Sequence, residues 1–280
     1  FLAKVYDCFT FFNEMDLLEI RLNELDEEVD YFVIVESTRT FQKKDKPLYL
    51  NLNDERIVKF KDKIIHIVVD DFPNFFTHWR VPKTWDYENH QRNAISRGLM
   101  NAKPDDIIIV SDVDEIPNAK KLAENINLNK PVVFQQRFFY YFLNYIMTKA
   151  TSESSIIQKN NMIYWRGSVM IKYKDFTSAR EVRNLRNDLT MTQIEEGGWH
   201  FSYIGGIDAI ISKLKSFSHV KETKQLLNNA DDKEKISKII SQGKDLFDRD
   251  MSFKALPLSE PFPKYLINNI KKYEKLLYPI

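Results

Sequence analysis

DIIIVSDVDEIP, residues 106–117, joins a short apolar run directly to three carboxylates. An apolar run of this length that ends at a turn predicts a central strand of a parallel sheet. Asp112, Asp114 and Glu115 follow the run, and the carboxyl end of such a strand is where open α/β sheets bind ligands. Two carboxylates this close repel each other unless a cation neutralises them. The spacing of Asp112 and Asp114 therefore indicates a site for a divalent metal ion.

A plainer interpretation of these acids stays open at this point. Asp and Pro are common turn residues, so an Asp-x-Asp pair after a strand is also typical of a solvated loop. The direction of the side chains narrows the choice of ligands within the motif. In an extended segment Asp112 and Asp114 point to one side and Glu115 to the other. The predicted metal ligands are therefore Asp112 and Asp114.

The rest of the chain predicts an α/β fold with a mostly parallel central sheet. Strands and helices alternate in the first half, at 4–12, 14–25, 31–35, 64–69, 86–100 and 107–111. Such alternation is typical of a Rossmann-like parallel sheet with right-handed crossovers. Two longer strands and then helices are predicted in the second half, at 131–144, 163–173, 209–217, 231–248 and 263–277. Because no helix of normal length separates those two strands, we expect a mixed or antiparallel extension with C-terminal helices.

Composition and charge exclude several classes of protein. The 41 basic and 40 acidic residues give a formal charge of +1, so the chain has no general attraction to nucleic acid or anionic lipid. Cys8 is the single cysteine of the sequence, which excludes an internal disulfide and fits a reducing compartment. No apolar run approaches the roughly 20 residues of a membrane span, and the first residues lack a signal-peptide pattern. We expect a cytoplasmic protein, unless an N-terminal anchor has been removed.

Each of the four predicted parallel strands ends in an acid or an amide. These residues are, in chain order, Asn13 and Glu14, Glu36, Asp70 and Asp71, and Asp112 and Asp114. Since the carboxyl ends of parallel strands share one edge of a sheet, they predict a common site. Such a site suits a nucleotide diphosphate, because carboxylates and amides can accept hydrogen bonds from its base or ribose. Asp112 and Asp114 would hold Mn²⁺ or Mg²⁺ against its phosphates, which stabilises a departing diphosphate.

Two further side chains are predicted to serve this site. Arg92 lies on the helix that leads to the fourth strand, and the guanidinium fork suits phosphate. His200, in the segment GGWHFSY, lies beside two glycines where a strand is expected to emerge from a loop, and it is predicted as a third metal ligand. Both residues have structural alternatives, Arg92 as a solvated helix residue and His200 as a structural histidine.

Three separate segments resemble glycosyltransferase family 17, the family of the bisecting β-1,4-N-acetylglucosaminyltransferases. They are FFNEMDLLEIRLNELDEEVDYFVIVES, SDVDEIP and GGWHFSY. The resemblance implies a single GT-A-like catalytic domain, with 1–117 as its nucleotide-sugar half and 118–280 as its acceptor-side half. It also implies a metal-dependent, inverting transfer from a UDP-sugar, with N-acetylglucosamine as the favoured sugar, to a glycan hydroxyl. Contacts with the uridine or ribose are then expected in the region of Asn13, Glu14 and Glu36. Without the cysteines and anchor of the vertebrate members, a bacterial or viral-host cytosol and a bacterial or viral glycan are expected.

Inversion requires a general base on the acceptor side of the site. Glu195 and Glu196, just before the paired glycines, are the candidates; a solvated acidic loop is the alternative. Tyr140, Trp165 and Trp199 are candidates to stack on the acceptor's sugar rings, and a place in the core is the alternative for each.

Two other functions are compatible with the same motifs. A phosphatase or nucleotidyltransferase also uses an Asp-x-Asp pair after a strand, although the phosphatase motif normally lies on the first strand of its fold. A non-catalytic glycan-binding module would explain the high aromatic content of 13%. It would not explain acids at four strand ends.

Overall fold

The computed structural model describes residues 3–41, 43–74, 80–151, 153–159, 162–216, 232–259 and 261–280. Eleven strands within these residues form one sheet. The strands of the first half are parallel, in the spatial order β3-β2-β1-β4. Their bounds are β1 Val5–Phe11, β2 Tyr31–Ser37, β3 Ile64–Val69 and β4 Ile107–Asp112. Each lies within two residues of its prediction, because a short apolar run between turns specifies a buried strand.

The second half of the sheet is antiparallel except for one pair. β9 pairs antiparallel with both β4 and β6, and β10 runs parallel to β6. The strands are β5 Glu115–Pro117, β6 Val132–Tyr140, β7 Tyr145–Lys149, β8 Ile156–Lys159, β9 Met162–Lys172, β10 Thr192–Ser202 and β11 Ser252–Ala255. The predicted α/β class, with a Rossmann-like first half and a mixed extension, is confirmed.

The helices cover both faces of the sheet and follow it at the C-terminal end of the chain. They are α1 Met15–Leu25, α2 Thr84–Asn93, α3 Ala119–Glu124, α4 Ala179–Asn184, α5 Gly206–Ser216, α6 Asp232–Ser241 and α7 Lys264–Asn268. The helix predicted at 86–100 is divided, since α2 continues as a 3₁₀ helix, Ala94–Gly98. The helix predicted at 231–248 ends at Ser241, two residues before Gly243, whose φ of 67° is left-handed and stops a helix. Residue 217, the end of another predicted helix, lies outside the described residues.

Two apolar clusters enclose the parallel strands, one on each face. Leu18 and Leu22 of α1 pack with Phe32 and other side chains on one face. Val33, the next residue of β2, belongs to the cluster on the opposite face, with Ile95. Consecutive side chains of a strand point to opposite faces, so a strand that is apolar at every position must be covered on both. Each fully buried Leu or Phe contributes roughly 1.5–3 kcal/mol.

Cys8 lies at the centre of this core, fully buried and free of disulfide bonds. Burial raises the pKa of its thiol, which keeps it uncharged. Among the described residues no helix is both long enough and apolar enough to cross a bilayer.

Candidate active site

A cavity of about 250 Å³ opens at the carboxyl ends of β1, β4 and β10. The first two strands are neighbours in the parallel half of the sheet, where this architecture places ligands. Six residues singled out from the sequence line this cavity: Glu14, Arg92, Asp112, Asp114, Trp165 and His200. The structure therefore brings together most of the predicted metal and donor residues, which come from both halves of the chain.

Arg21 of α1 holds the backbone of residues 112–115, which contain the Asp-x-Asp motif, through hydrogen bonds. Its side chain is fully buried and forms a two-pronged ion pair with Asp7 of β1, at 2.6 and 2.7 Å. The same guanidinium donates to the backbone oxygens of Asp112, Val113 and Glu115, at 2.9, 3.3 and 2.7 Å. One arginine thus satisfies three carbonyls of the turn, which orients the carboxylates that follow β4.

Asp112 is held by arginines. Arg92 Nη1 donates to Asp112 Oδ1 at 2.7 Å, and Arg183 Nη2 donates to Oδ2 at 3.0 Å. Burial opposes ionisation of this carboxyl, but the two guanidinium groups outweigh burial and hold the pKa of Asp112 well below its ordinary value. Asp112 is therefore an anion whose two oxygens both have cationic partners.

Glu115 connects Asp112, Trp165 and Arg183 through hydrogen bonds. Its Oε2 accepts from the backbone N–H of Asp112 at 3.0 Å. Its Oε1 accepts from the indole of Trp165 at 2.6 Å and from Arg183. The side chain is 1% exposed, and both of its oxygens accept hydrogen bonds from neighbouring groups.

Asp114 and His200 lie next to each other in the cavity wall. His200 Nε2 lies 3.7 Å from Asp114 Oδ2. The imidazole lies against the rings of Phe138 and Trp165, with centroids 4.5 and 4.9 Å away. Pairing of β10 with β5 places His200 opposite Glu115, and the backbone N–H of Phe201 donates to the Asp114 carbonyl. GGWHFSY and DVDEIP therefore meet as neighbouring strands.

The donor set at Asp114 and His200 fits a divalent ion that also binds phosphate. Bonds of about 2.1 Å from a shared ion are compatible with the 3.7 Å between their ligand atoms. No cluster of three or more His, Cys, Asp or Glu side chains suited to an ion is found in the described part of the chain. Mg²⁺ and Mn²⁺ sites that use one or two protein ligands obtain their other ligands from water and substrate phosphates. An imidazole ligand favours Mn²⁺ over Mg²⁺.

Two of the residues predicted to contact the donor are involved in backbone turns. Glu14 lines the cavity, and its Oε2 accepts from the backbone N–H groups of Phe12 and Asn13, at 3.1 Å each. Asn13 itself does not belong to the cavity wall. Glu14 thus fixes the turn between β1 and α1 and leaves the aromatic ring of Phe12 against the cavity.

Glu36 lies beneath the cavity and supports it indirectly. Its side chain is fully buried, and it accepts from Lys46 Nζ at 3.2 Å and from the backbone N–H of Leu50 at 3.3 Å. Burial opposes ionisation, but the His66 side chain, the Tyr49 amide and Lys46 outweigh it and lower the pKa of Glu36. Glu36 therefore positions Lys46, which does line the cavity.

We expect Glu36→Gln to destabilise the protein at neutral pH and to matter less in acid. A carboxyl whose pKa is lowered by folding adds stability above its ordinary value of 4.5, and this contribution is lost as the pH falls through the folded-state pKa. The difference in unfolding free energy between wild type and variant should therefore be constant above about pH 5 and shrink below it. Urea unfolding at pH 7, 5 and 3.5 measures it; a difference that grew in acid would contradict this role. Glu124→Gln, on the exposed face of α3, is the control.

Two of the aromatic residues predicted to stack on the acceptor lie away from the cavity. Trp199 is 3% exposed and donates from its indole to the Pro261 carbonyl, on the face of β10 opposite His200. Tyr140 is buried behind Tyr203, with ring centroids 5.3 Å apart. Alternation along a strand explains the contrast within GGWHFSY, because only every second side chain can face the site.

Glu195 and Glu196, the predicted bases, belong to neither the cavity wall nor its rim. Glu195 is exposed and pairs with Lys159. Glu196 accepts from Arg137 at 2.8 Å and from the hydroxyl of Tyr164. Tyr164 precedes the cavity residue Trp165 in β9, so it points to the opposite face of the sheet.

A second cavity of about 510 Å³ adjoins the first. Six residues line both: Glu88, Arg92, Asp112, Trp165, Arg183 and Arg186. Trp85, which is 55% exposed, and Arg180 belong to the second cavity alone. The sequence prediction missed the arginines of α4 and the turn after it. Their spacing of three residues, Arg180, Arg183 and Arg186, places them on one helical face and was the signal that could have found them.

The fold and the cavity define an α/β protein with a candidate ligand site at the carboxyl edge of its parallel strands. The chain belongs to glycosyltransferase family 17: the sequence model of that family matches residues 2–279. The resemblance predicted from the sequence is therefore confirmed.

The proteins similar to this chain include two mammalian enzymes and a bacterial enzyme of known structure. The β-1,4-mannosyl-glycoprotein 4-β-N-acetylglucosaminyltransferase of Rattus norvegicus is 23% identical over 98% of this chain and 54% of its own length. Its Homo sapiens counterpart is 24% identical over 76% of this chain and 43% of its own length. The chain thus spans about half the length of these relatives. A glucosyl-3-phosphoglycerate synthase from Mycobacterium tuberculosis, solved with Mn²⁺ and UDP-glucose, aligns over 95% of this chain and 91% of its own, with a TM-score of 0.38 and 10% identity.

Proposed function

We propose that this chain transfers N-acetylglucosamine from its UDP derivative to a glycan hydroxyl with inversion, assisted by a divalent ion. Membership of glycosyltransferase family 17 supports sugar transfer, and the names of the relatives support the sugar and the β linkage. Inversion follows, since a β product formed from an α-linked nucleotide sugar requires one displacement. The observation that carries the proposal is the Asp114–His200 pair beside a cavity at the carboxyl edge of the parallel strands.

The nucleoside is proposed to bind in the part of the cavity nearest β1. Phe11, Phe12 and Phe41 supply an apolar wall there, and Thr10, Glu14 and Thr40 supply polar atoms. Apolar walls with a few polar groups are typical of nucleoside and cofactor sites. Asn13 and Glu36 are proposed to act through the turn and through Lys46, rather than by direct contact.

Asp114 and His200 are proposed to hold the divalent ion, with Mn²⁺ favoured. When bound, the ion supplies Lewis-acid stabilisation of the charge that develops on the departing diphosphate. The protein's own contribution is orientation: Arg21 fixes the motif backbone, and the rings of Phe138 and Trp165 fix the imidazole. A ligand held in one orientation loses little freedom when the donor binds.

The acceptor is proposed to enter through the second cavity. Trp165 lines both cavities, and Trp85, which is 55% exposed, lines the second, so aromatic side chains border the proposed path of a sugar ring. The acceptor hydroxyl must lose its proton to a general base on the side opposite the diphosphate. Glu195 and Glu196 are the candidates proposed from the sequence, and both lie outside the two cavities.

The test of this function is a screen of UDP-sugars for slow hydrolysis, with Mn²⁺ and with EDTA. Hydrolysis needs no knowledge of the acceptor. We expect UDP-N-acetylglucosamine to be hydrolysed with Mn²⁺ and not with EDTA. A hundredfold excess of UDP over its Kd, with Mn²⁺, should raise the Tm by about 5–10 °C, and by less with EDTA. GDP is the control. Release of phosphate from simple esters, without turnover of any sugar nucleotide, would instead indicate a phosphatase.

A further inference from the structure

Three arginines meet where the two cavities join. Arg92 comes from α2, Arg183 from α4 and Arg186 from the 3₁₀ turn that follows α4. All three line both cavities. They lie between the apolar wall proposed for the nucleoside and the polar second cavity.

Two of these arginines are anchored by carboxylates and one is not. Arg92 and Arg183 share Asp112, and Arg183 also donates to the Gly167 carbonyl at 2.7 Å. Arg186 lies over the Trp165 ring, with its guanidinium carbon 4.8 Å from the centroid. Its nearest carboxylate oxygen, of Glu115, is 3.7 Å from Nη1, which is beyond hydrogen-bond distance. Arg186 is thus a mostly buried cation positioned by stacking.

Two buried donors at this junction lack hydrogen-bond partners in the part of the chain that the structure describes. Arg183 Nε and Arg186 Nη1 are buried and have no hydrogen-bond partner among the described residues. Arg183 is 5% exposed, so water does not readily replace a protein partner. An unpaired buried donor on a charged group is costly, and burial with the nearby Arg183 charge lowers the pKa of Arg186 to about 10. A polyanion bound here would satisfy both donors.

We propose that Arg183 and Arg186, together with Arg92, bind the diphosphate of the sugar nucleotide and stabilise it as the leaving group. The identity of the anion rests on the proposed function. During transfer the acceptor oxygen bonds to the anomeric carbon, the bond from that carbon to the β-phosphate oxygen breaks, and its electron pair stays on UDP. The acceptor proton passes to the general base. Guanidinium forks match phosphate oxygens in pairs, so three of them suit a diphosphate better than a single carboxylate.

In this arrangement Asp112 and Asp114, the two acids of the Asp-x-Asp motif, have different roles. Asp112 holds Arg92 and Arg183 in place through both of its oxygens, and Asp114 faces His200. The diphosphate would then lie between arginines on one side and the Asp114–His200 pair on the other.

Calorimetric titration in EDTA isolates the arginines from any bound metal. Uridine, UDP and inorganic pyrophosphate are titrated into wild type, Arg186→Gln, Arg186→Lys and the surface control Arg97→Gln, whose partner is the exposed Asp71. Arg186→Gln should weaken UDP and pyrophosphate about 10- to 100-fold and leave uridine within about twofold. Arg186→Lys should be intermediate, because lysine keeps the charge without the fork. Since Arg186 has few native partners, the Tm of ligand-free Arg186→Gln should not fall.

The outcomes separate this inference from the proposed function. Unchanged binding of UDP and pyrophosphate by Arg186→Gln overturns the arginine site, even where UDP with Mn²⁺ binds normally. Wild type that binds neither anion without metal also overturns it. A third outcome is that pyrophosphate binding depends on Arg186 but UDP binds no more tightly than pyrophosphate. This would support the arginine site and contradict the proposal that the donor is a UDP-sugar.

Discussion

Asp114→Ala should lower kcat/KM for the UDP-sugar at least about 10³-fold while the fold stays intact. The residue is 7% exposed and faces His200 in the cavity. Loss of a ligand to a Lewis-acid ion removes several kcal/mol of transition-state stabilisation, and each 1.36 kcal/mol corresponds to tenfold in rate. The backbone carbonyl of Asp114, which accepts from Phe201, is unaffected by the substitution. Tm should therefore change by only a few degrees.

The measurement is initial-rate kinetics over a range of Mn²⁺ concentrations. His200→Ala should raise the Mn²⁺ concentration that gives half-maximal rate, because it is expected to share the ion with Asp114. Asp105→Ala, an exposed acid that pairs with Lys172, is the matched control and should keep the wild-type rate. Full activity in Asp114→Ala at every Mn²⁺ concentration would refute the assignment of the metal site.

Arg21→Met should be among the most destabilising single substitutions in the chain, by about 3–5 kcal/mol. The change leaves Asp7 fully buried without its cation, and it removes the donor to three carbonyls of the motif turn. For a domain of this size the Tm should fall by about 6–20 °C. Activity should fall as well, because Asp112 and Asp114 lose their fixed backbone.

A double variant separates these two effects of Arg21. Asp7→Leu combined with Arg21→Met replaces the buried ion pair by apolar side chains, which is often neutral for stability. The double variant should therefore recover much of the Tm but little of the activity, since the carbonyls still lack their donor. Arg56→Met, in a partly exposed pair with Asp54, should cost no more than about 1 kcal/mol. If the free energy of unfolding of Arg21→Met lay within about 1 kcal/mol of the wild-type value, the anchoring role of Arg21 would be wrong. Differential scanning calorimetry and kcat/KM measure both effects.

Several features of the site followed from local sequence patterns. The strand at 107–111 and its acids were recognisable because a buried strand is a short apolar run and ligands bind at its carboxyl end. Arg92, His200 and Trp165 were predicted separately, and the structure places all three in the cavity wall. Alternation along β10 also implied that Trp199 could not share the face of His200. That signal was present in GGWHFSY and pointed to a core tryptophan.

Other features depended on which distant segments meet. Asp112 and Arg183 are 71 residues apart. They pair because β9 lies beside β4 and α4 returns along the sheet to the motif. Nothing near Glu196 in the sequence indicates that Arg137 and Tyr164 bind its carboxylate, and nothing near Glu36 indicates that it is covered by the 46–50 segment.

Local order of apolar and polar residues was sufficient to predict the parallel strands, the edge of the sheet where the first cavity opens and three of the acids that line it, Glu14, Asp112 and Asp114. This is because backbone periodicity fixes side-chain direction over a few residues. Only the tertiary structure shows that Asp112 pairs with Arg92 and Arg183 and that Asp114 lies beside His200. It also places Arg183 and Arg186 at the junction of the two cavities. Whether a charge acts on a ligand or on a neighbouring residue depends on its partners and its burial, and both are set by segments far away in the chain.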